Sequence, residues 1–216
     1  MSSEKIKQEI ITTAQRLHAR NLLAAADGNI SYRISDQDIL ITGSGVAKAF
    51  MKVEDIASMT LSGKTNYGNP SSEKEMHLAV YRQCPQAVCV VHAHPPTAIA
   101  WSIAHPQLTE LPAYCLSELI LAVKRIPFVP YARPGTSAMG EQLLPLIPEH
   151  RVLILSRHGA LTWGESLSEA LNGMERLEHA AQILMYATQL GGLTRLPEEE
   201  LEILYQMREK LGEKVL

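Results

Sequence analysis

The sequence predicts an α/β domain in which helices cover a mixed or largely antiparallel sheet. Two neighbouring strand-like runs near the amino end have the spacing of a hairpin, and later apolar runs alternate with helical segments. No GxGxxG motif follows a strand, which disfavours a doubly wound dinucleotide-binding fold. With 216 residues, 46% of them hydrophobic, the chain can bury the core of one domain spanning residues 1–216.

The first half of the chain supplies two helices, a hairpin and a buried strand. Apolar residues at helical spacing from Ile6 to Leu17 predict an amphipathic helix over about residues 4–20. The runs NISYRI and DILIT, separated by the polar SDQ, predict the hairpin strands. Helical spacing resumes near Ser72 and continues to about Arg82, and the apolar run AVCVVHAH then predicts a buried strand.

The second half supplies another buried strand and the long carboxyl-terminal helices. The prolines and glycine of IPFVPYARPGTS predict a strand that runs into a loop. VLILSRHGALTWG is as apolar as AVCVVHAH and predicts its counterpart strand. Helical spacing predicts helices over Ser166 to Leu190 and Pro197 to Lys210, so helices dominate from about residue 166 onward.

Composition excludes several classes of partner. The net charge of −3 arises from interspersed charges, and the chain has no basic stripe, RNP-like aromatic motif or zinc-finger cysteine pair, so no nucleic acid partner is expected. No apolar run approaches the roughly 18 residues that span a bilayer, and the segment MSSEKIKQEI mixes charges where a secretory signal is apolar. We therefore expect a cytoplasmic protein without a membrane partner.

The chain has few cysteines, and their spacing forms no recognised pair motif. Cys84, Cys89 and Cys115 make an odd number, and no two of them form a CxxC motif. This pattern is typical of reduced thiols that fill core positions. It predicts neither a disulfide framework nor a thiolate zinc site.

Two histidines close the first buried strand in the stretch VVHAHPPTAIA. Side chains alternate faces along a strand, so His92 and His94 point to the same side, roughly 6 to 7 Å apart. Two imidazoles at that separation can close onto one metal ion, with Zn–N bonds of about 2.0 to 2.1 Å. An isolated HxH motif is equally compatible with two ordinary polar residues at a strand end.

A third histidine decides between these interpretations. His158 in LSRHGA follows the other strongly apolar run and precedes a glycine that allows close backbone approach. If the two strands are neighbours, three neutral imidazoles face one point, which is the ligand set of a catalytic zinc site with an open fourth position. The remaining histidines are expected to have structural or surface roles: His18, His77, His105, His150 and His179.

The stretch NPSSEKEMH contains a second cluster of polar side chains. Ser72 followed by Glu75 fits a capping box at a helix start. Glu73 has two interpretations. A carboxylate in the first turn is favoured by the helix dipole, and this alone explains most such residues. Alternatively, the helix start with Ser71 and Ser72 binds a phosphate while Glu73 acts as a base beside the metal.

Two glycine-rich turns offer further groups for an anion. Small and amide-bearing residues able to cradle a phosphate occur in DGNIS and ITGSG, namely Gly28, Asn29, Thr42, Gly43, Ser44 and Gly45. Tight turns that flank a hairpin explain each of them equally well when it is taken alone.

The motifs GNIS, ITGSG, PSSE, HAHP and RHG, in that order over about residues 25 to 160, resemble the class II aldolase and adducin-like family, most closely its fuculose-phosphate aldolase branch. The resemblance implies a three-layer α/β/α sandwich with a central, mostly antiparallel sheet. It also implies Zn²⁺ on His92, His94 and His158, and a ring-shaped homotetramer with active sites at subunit interfaces. It implies that a sugar phosphate is held by Asn29, Ser44, Gly45, Ser71 and Ser72.

The same resemblance implies a reaction, in which a ketose 1-phosphate is cleaved to dihydroxyacetone phosphate and an aldehyde. Retro-aldol cleavage leaves a carbanion beside a carbonyl, and its charge must move onto oxygen. Zinc chelated by the substrate oxygens stabilises that enediolate as a Lewis acid. Glu73 then delivers or removes the proton at the nucleophilic carbon, and no Schiff-base lysine is needed.

Other reactions of the family remain open. Ribulose-phosphate 4-epimerases of similar fold have PSSD where this chain has PSSE, and this difference favours an aldolase. Methylthioribulose-phosphate dehydratases lack the PSSE signature. A decarboxylase of oxo-tetronate phosphates retains zinc, Glu73 and the phosphate groups, because loss of CO₂ makes the same kind of enediolate. Adducin-like binding modules are expected to have lost zinc ligands, and this chain keeps its histidines.

The chain departs from the family at the aldehyde end of the substrate. Fuculose-phosphate aldolases use two tyrosines there, and alignment by flanking residues places Leu116 and Leu211 at those positions. The apolar pair favours a less polar aldehyde, such as a 5-deoxy or methylthio pentulose fragment. The candidates for the proton donor to the aldehyde oxygen are Tyr114, Glu118, Tyr131 and Tyr205.

Overall fold

Eight strands form the middle layer of the protein, which is described here from a computed structural model over residues 2–215. The strands are β1 (Asn29–Arg33), β2 (Asp38–Thr42), β3 (Ile56–Thr60), β4 (Thr65–Tyr67), β5 (Cys89–Ala93), β6 (Phe128–Val129), β7 (Val152–Leu155) and β8 (Gly159–Gly164). They lie in the order β4-β3-β2-β1-β5-β8-β7-β6. Every neighbouring pair is antiparallel except β6 with β7, which confirms a mostly antiparallel sheet.

Helices cover both faces of this sheet. They are α1 (Ser3–Ala19), α2 (Lys74–Gln83), α3 (Pro96–Ala104), α4 (Ser117–Val123), α5 (Ala138–Glu141), α6 (Leu167–Gln189) and α7 (Glu198–Leu211). Successive strand side chains therefore point into two different cores. Leu40 and Val91 belong to the core shared with α1, α3, α4, α6 and α7. Ile41 and Val90 belong to the core shared with α2 and α5. The predicted three-layer α/β/α sandwich is confirmed.

Most of the elements predicted from periodicity are present. The first helix, the NISYRI and DILIT hairpin and the two carboxyl-terminal helices agree with the predicted ranges within about two residues. Cys84 and Cys89 are buried thiols and Cys115 is half-buried, as their pattern predicts. Within the described residues, no helix is both long enough and apolar enough to span a membrane.

The run VLILSRHGALTWG is not one strand, as predicted, but two. The chain reverses over residues 156–158, and β7 and β8 pair with each other as an antiparallel hairpin. Arg157 takes a left-handed conformation with φ 62°, and the His158 amide donates to the Leu155 carbonyl at 3.0 Å. Two apolar strands joined by a turn this short cannot be told from one strand by periodicity, because the apolar run is nearly continuous.

The predicted capping box at Ser72 and Glu75 is also wrong. Helix α2 begins at Lys74, with Glu73 as its N-cap residue and no side-chain cap hydrogen bond. The Ser71 hydroxyl instead accepts from the Glu73 amide at 3.3 Å. The helix starts two residues later than the pattern predicts, and the Glu73 side chain turns towards the histidines described below.

Candidate metal centre and substrate cavity

Three histidines meet where β5 ends and β8 begins. The metal-binding atoms of His92, His94 and His158 lie within 4.8 Å of one another. Antiparallel pairing of β5 with β8 produces this meeting, because it sets Ala93 opposite Ala160 and so brings the end of one strand beside the start of the other. The structure therefore places the three predicted ligands together.

The ring nitrogens are oriented for a metal ion. The buried His92 lies with Nδ1 2.8 Å from the Ala160 carbonyl oxygen, so Nδ1–H donates there and Nε2 keeps a free lone pair. His94 Nδ1 lies 3.5 Å from an Asp27 carboxylate oxygen, while its Nε2 lies 3.2 Å from that of His92. Such partners behind the ligands fix the tautomer that a metal requires. Burial, with smaller contributions from His92 and His158, lowers the pKa of His94 to about 4, which favours its neutral form.

Gly159 makes room for this cluster. A Cβ at this position would lie 2.7 Å from the Ala93 carbonyl oxygen and 2.7 Å from Cε1 of the His92 ring. Both distances are below any normal contact, so the hairpin can approach β5 only with glycine at this position. The glycine after His158 is thus a packing requirement of the histidine cluster.

We expect Gly159→Ala to weaken metal binding by about 10- to 100-fold, the range typical of changes behind metal ligands. The added methyl group must displace either β5 or the His92 ring. Isothermal titration of the metal-free protein with Zn²⁺ measures the affinity. Gly135→Ala is the control for backbone strain without a clash, because Gly135 has a φ of 75° and a Cβ there meets no atom within 4 Å. Equal zinc affinity in wild type and Gly159→Ala contradicts the prediction.

Glu73 faces the same point as the histidines. Its Oε1 lies 3.1 Å from His158 Nε2, and its Oε2 lies 3.3 Å from His92 Nε2. The Asn29 side-chain amide also donates to Oε2, at 2.8 Å. Burial by itself raises the pKa of Glu73, but the adjacent His158 and His92 rings and the Asn29 donor outweigh it and hold the pKa well below its usual range. The side chain is an ionised carboxylate placed to bind a metal or to exchange a proton beside one.

A cavity of about 350 Å³ opens beside this cluster. It is lined by Glu73, His94 and His158 and by all of the predicted substrate-binding residues, Gly28, Asn29, Ser44, Gly45, Ser71 and Ser72. Thr42 has another role, since its hydroxyl accepts a hydrogen bond from the Ile30 amide at 3.2 Å. Glycine-turn and helix-start motifs that are far apart in sequence therefore form one surface.

Lys48 also lines the cavity, and sequence patterns did not single it out. Only 2% of the residue is exposed, and its ammonium group donates to the Ala26 and Val46 carbonyls at 3.0 and 2.7 Å. No carboxylate of the described chain lies within 4.0 Å of it. Burial lowers the pKa of Lys48, although Asp27 and Glu73 act to raise it. In the sequence, the only indication that Lys48 lines the cavity was its proximity to the ITGSG turn.

Among the histidines given structural or surface roles, His77 stands apart. It is fully buried and contacts Asn29 and Ser31. His18 and His179 are exposed, His105 stacks on Trp101, and the carbonyl of His150 accepts from the Trp163 indole.

The four candidate proton donors lie outside this cavity. Arg195 lies over the ring of Tyr114 and Arg125 lies over that of Tyr205. Glu118 and Tyr131 are exposed. The structure thus brings Glu73 and the predicted substrate-binding residues to the histidines but none of these four.

The chain matches known proteins over most of its length. A profile of the class II aldolase and adducin N-terminal domain matches residues 8–185. A 3-oxo-tetronate 4-phosphate decarboxylase of Pectobacterium atrosepticum is 28% identical over 185 residues, which cover 85% of each chain. An L-fuculose phosphate aldolase of Methanococcus vannielii is 34% identical over 176 residues, 82% of this chain and 93% of the relative. A 5-deoxy-D-ribulose 1-phosphate aldolase of Bacillus thuringiensis serovar kurstaki is 29% identical over 222 residues, 99% of this chain and 100% of the relative.

Solved structures give the same result. An L-fuculose 1-phosphate aldolase superposes with a TM-score of 0.86 at 29% identity, covering 97% of this chain and 98% of the other. The L-fuculose-1-phosphate aldolase of Thermus thermophilus superposes with a TM-score of 0.76 at 34% identity, covering 86% of this chain and 96% of the other. The chain therefore belongs to the class II aldolase and adducin N-terminal domain family, close to L-fuculose phosphate aldolase, and is an enzyme of that class.

Proposed function

We propose that the protein cleaves a ketose 1-phosphate to dihydroxyacetone phosphate and an aldehyde, with zinc as the metal. The observation that supports this is the composition of one cavity, whose walls combine histidine ligands, an ionised glutamate and a set of hydroxyl and amide groups suited to phosphate. The class II aldolases depend on a metal ion, and neutral imidazoles converging through Nε2 are a ligand set that suits zinc.

The phosphate end of the substrate binds between the ITGSG turn and the start of α2. Ser44, Ser71 and Ser72 offer hydroxyl donors and Gly45 offers its amide, all on the cavity wall. The ammonium group of Lys48 adds a fixed positive charge that has no carboxylate partner in the described structure. A phosphate dianion supplies the charge that this buried cation lacks.

Glu73 moves the proton at the carbon next to the ketone. Zinc held by His92, His94 and His158 would supply a Lewis acid for the negative charge that develops on the substrate oxygens. Glu73 is ionised at rest, so it can take this proton when the reaction runs towards bond formation and return it after cleavage. Asn29 holds one oxygen of the carboxylate during this exchange.

The aldehyde end of the substrate is completed by another subunit of a homotetramer in this proposal. None of the four candidate proton donors lines the cavity of its own chain, which leaves that end open to a neighbour. The apolar Leu116 and Leu211 favour a 5-deoxy or 5-methylthio ribulose 1-phosphate over fuculose 1-phosphate. The relative named 5-deoxy-D-ribulose 1-phosphate aldolase, which this chain matches over 99% of its length, supports that choice.

Decarboxylation of an oxo-tetronate phosphate is the second candidate, favoured by the relatives that carry that name. A 3-oxo acid that loses CO₂ leaves a carbanion beside its ketone, and a metal held by the three histidines would supply the same charge stabilisation there, with Glu73 available for the proton. With a 3-oxo-tetronate 4-phosphate the protonated product is again dihydroxyacetone phosphate. The two activities therefore differ only in the second product.

One experiment separates the two candidates. Purified protein of known metal content is given 5-deoxyribulose 1-phosphate, 5-methylthioribulose 1-phosphate, fuculose 1-phosphate and 3-oxo-tetronate 4-phosphate in turn. Dihydroxyacetone phosphate is followed with a coupled reductase, and aldehyde and CO₂ are measured in parallel. Release of aldehyde from a ketose 1-phosphate supports the proposal. Release of CO₂ alone establishes the decarboxylase, and no turnover of any of the four overturns both.

We expect Lys48→Met to raise the KM for the sugar phosphate by about 10- to 100-fold with a smaller change in kcat. The lost interaction is a charge-assisted hydrogen bond, which is worth about 1.5 to 3 kcal/mol. Inhibition by inorganic phosphate measures the same effect without turnover. Lys52→Met, at an exposed lysine, is the matched control. A folded Lys48→Met variant with unchanged KM and unchanged phosphate inhibition contradicts the role given to Lys48.

A further inference from the structure

A buried chain of hydrogen bonds runs behind Glu73. The Asn29 amide donates to Glu73, the other end of the Asn29 side chain contacts His77 Nε2, and His77 Nδ1 lies 2.6 Å from the Ser31 hydroxyl. The Tyr81 hydroxyl continues the chain at 2.8 Å from Ser31. We call these five residues the buried relay. Ser31 and His77 are completely buried, and Tyr81 is 2% exposed.

The relay forms because its residues recur at the period of a helix on α2 and at the period of a strand on β1. Glu73, His77 and Tyr81 are spaced by four residues, so they lie along one face of α2 and its N-cap. Asn29 and Ser31 are spaced by two residues on β1, so they share one face of the sheet. Where that face packs on α2, two strand side chains interleave with three helix side chains. A run of polar contacts thus crosses a layer that is otherwise apolar.

The direction of every hydrogen bond in the relay follows from Glu73. An ionised carboxylate only accepts, so Asn29 must turn its NH₂ towards Glu73 and its carbonyl oxygen towards His77. His77 must then carry its proton on Nε2, and its Nδ1 accepts from the Ser31 hydroxyl. Burial lowers the pKa of His77 to about 3, with His92 contributing, so the ring is neutral and has a single N–H.

We propose that His77 is a positioning residue for proton transfer: through Asn29 it holds the Glu73 carboxylate in the orientation that the reaction uses. The proposal rests on the function given to Glu73 above. Without the N–H of His77, the carbonyl end of Asn29 loses its anchor, and the attraction of the NH₂ group to the carboxylate alone does not hold the side chain in place. Glu73 then loses the neutral donor that fixes Oε2, and the carboxylate is free to turn away from the substrate carbon.

A purely structural role makes a different prediction. If the relay only fastens α2 to β1, its loss lowers stability and leaves the chemical step of the folded protein unchanged. If His77 positions Glu73, its loss lowers kcat by more than it changes KM and leaves the metal content the same. The reason is that His77 itself lines neither the phosphate-binding wall nor the metal-binding cluster.

Two substitutions at His77 form a matched pair in the zinc-loaded protein. His77→Gln removes the ring but can place an NH₂ group near the position of Nε2, where it donates to Asn29. His77→Asn has the same chemistry with a shorter side chain, which reaches Ser31 but not Asn29. We expect His77→Asn to lower kcat by about 10- to 100-fold, with a smaller change in KM and an unchanged zinc content, and His77→Gln to restore most of the rate.

Crystal structures of the two variants supply a readout that does not depend on activity. We expect the Asn29 side chain to remain at hydrogen-bond distance from Glu73 in His77→Gln and to leave it in His77→Asn.

Ser31→Ala replaces His77→Asn as the test if the latter does not fold. It keeps the His77 ring and removes only the donor that selects its tautomer. We expect Ser31→Ala to cause a smaller but measurable loss of kcat.

The outcomes separate this proposal from the function on which it rests. Equal loss of kcat in the two His77 variants, an unchanged kcat in both, or an Asn29 that keeps its contact with Glu73 in His77→Asn overturns the role of His77. If Glu73→Gln keeps full activity, the acid/base role of Glu73 fails instead. The crystallographic comparison still tests whether His77 positions Asn29 in that case.

Discussion

Replacing His92 and His94 together by alanine is expected to abolish stoichiometric metal binding and to lower dihydroxyacetone phosphate formation by at least about 10³-fold. A metal ion contributes several kcal/mol of charge stabilisation to such a reaction, and about 4 kcal/mol corresponds to that factor. The two substitutions leave one imidazole at a site where three converge within 4.8 Å. One imidazole does not hold a metal at stoichiometric occupancy at micromolar concentration.

Metal analysis of the purified variant, together with the rate measured before and after adding Zn²⁺, tests this expectation. The matched control is His18→Ala with His179→Ala, which also removes two imidazoles, but from exposed positions. Circular dichroism separates loss of metal from loss of fold, because His92 is fully buried and its removal leaves a space. A double variant that keeps one ion per chain shows that the metal is held elsewhere.

The histidine cluster could be predicted from the sequence because its geometry is largely local. Two histidines separated by one residue on a strand must share a face, whatever that strand pairs with. The position of His158 required one assumption, that the second apolar run neighbours the first. The assumption was right for β8, although the run proved to be a hairpin of two strands. Antiparallel pairing of β5 with β8 set the distance between the ligands, and no spacing in the sequence contains that register.

Lys48 and His77 were missed for the same reason. Each is defined by what it contacts across the fold: Lys48 by the carbonyls of two loops, and His77 by side chains on a strand more than forty positions earlier. A lysine in a turn and a histidine in an amphipathic helix have ordinary local contexts. Helix α3 was also missed, although Pro96 at its start is a recognised signal. That signal was available in the sequence, whereas the contacts of the other two residues were not.

The charges around the cavity explain why it is suited to an anionic substrate. Glu73 and Asp27 lie next to the histidines and would balance the charge of a metal ion held there. Lys48 lies on the same cavity wall without a carboxylate partner within 4.0 Å in residues 2–215. In the proposed function, a phosphate group at the hydroxyl-lined end would compensate this cation while the ketone end faces the histidines, which would give the substrate one orientation.

Glu73→Gln is expected to lower the rate of proton transfer by about 10² to 10⁴, the usual contribution of a positioned acid or base. The amide has nearly the shape of the carboxylate, and its oxygen can still accept from Asn29. It cannot take a proton from carbon. If Glu73 instead serves only the dipole of α2, the change costs about 0.3 to 1 kcal/mol of stability and leaves turnover nearly intact.

The most direct test of this role of Glu73 is the exchange of the pro-chiral hydrogen of dihydroxyacetone phosphate with deuterated water, followed by NMR. It needs the metal and the base but no aldehyde, so it does not depend on the unidentified part of the substrate. Glu75→Gln is the matched control, because Glu75 lies in the first turn of the same helix and pairs at most with Arg82, 3.9 Å away. We expect that control to exchange at the native rate. Since Glu73 lies within 3.3 Å of two ligand nitrogens, zinc content must be measured in the same samples. Native exchange in a zinc-loaded Glu73→Gln protein shows that another residue moves the proton.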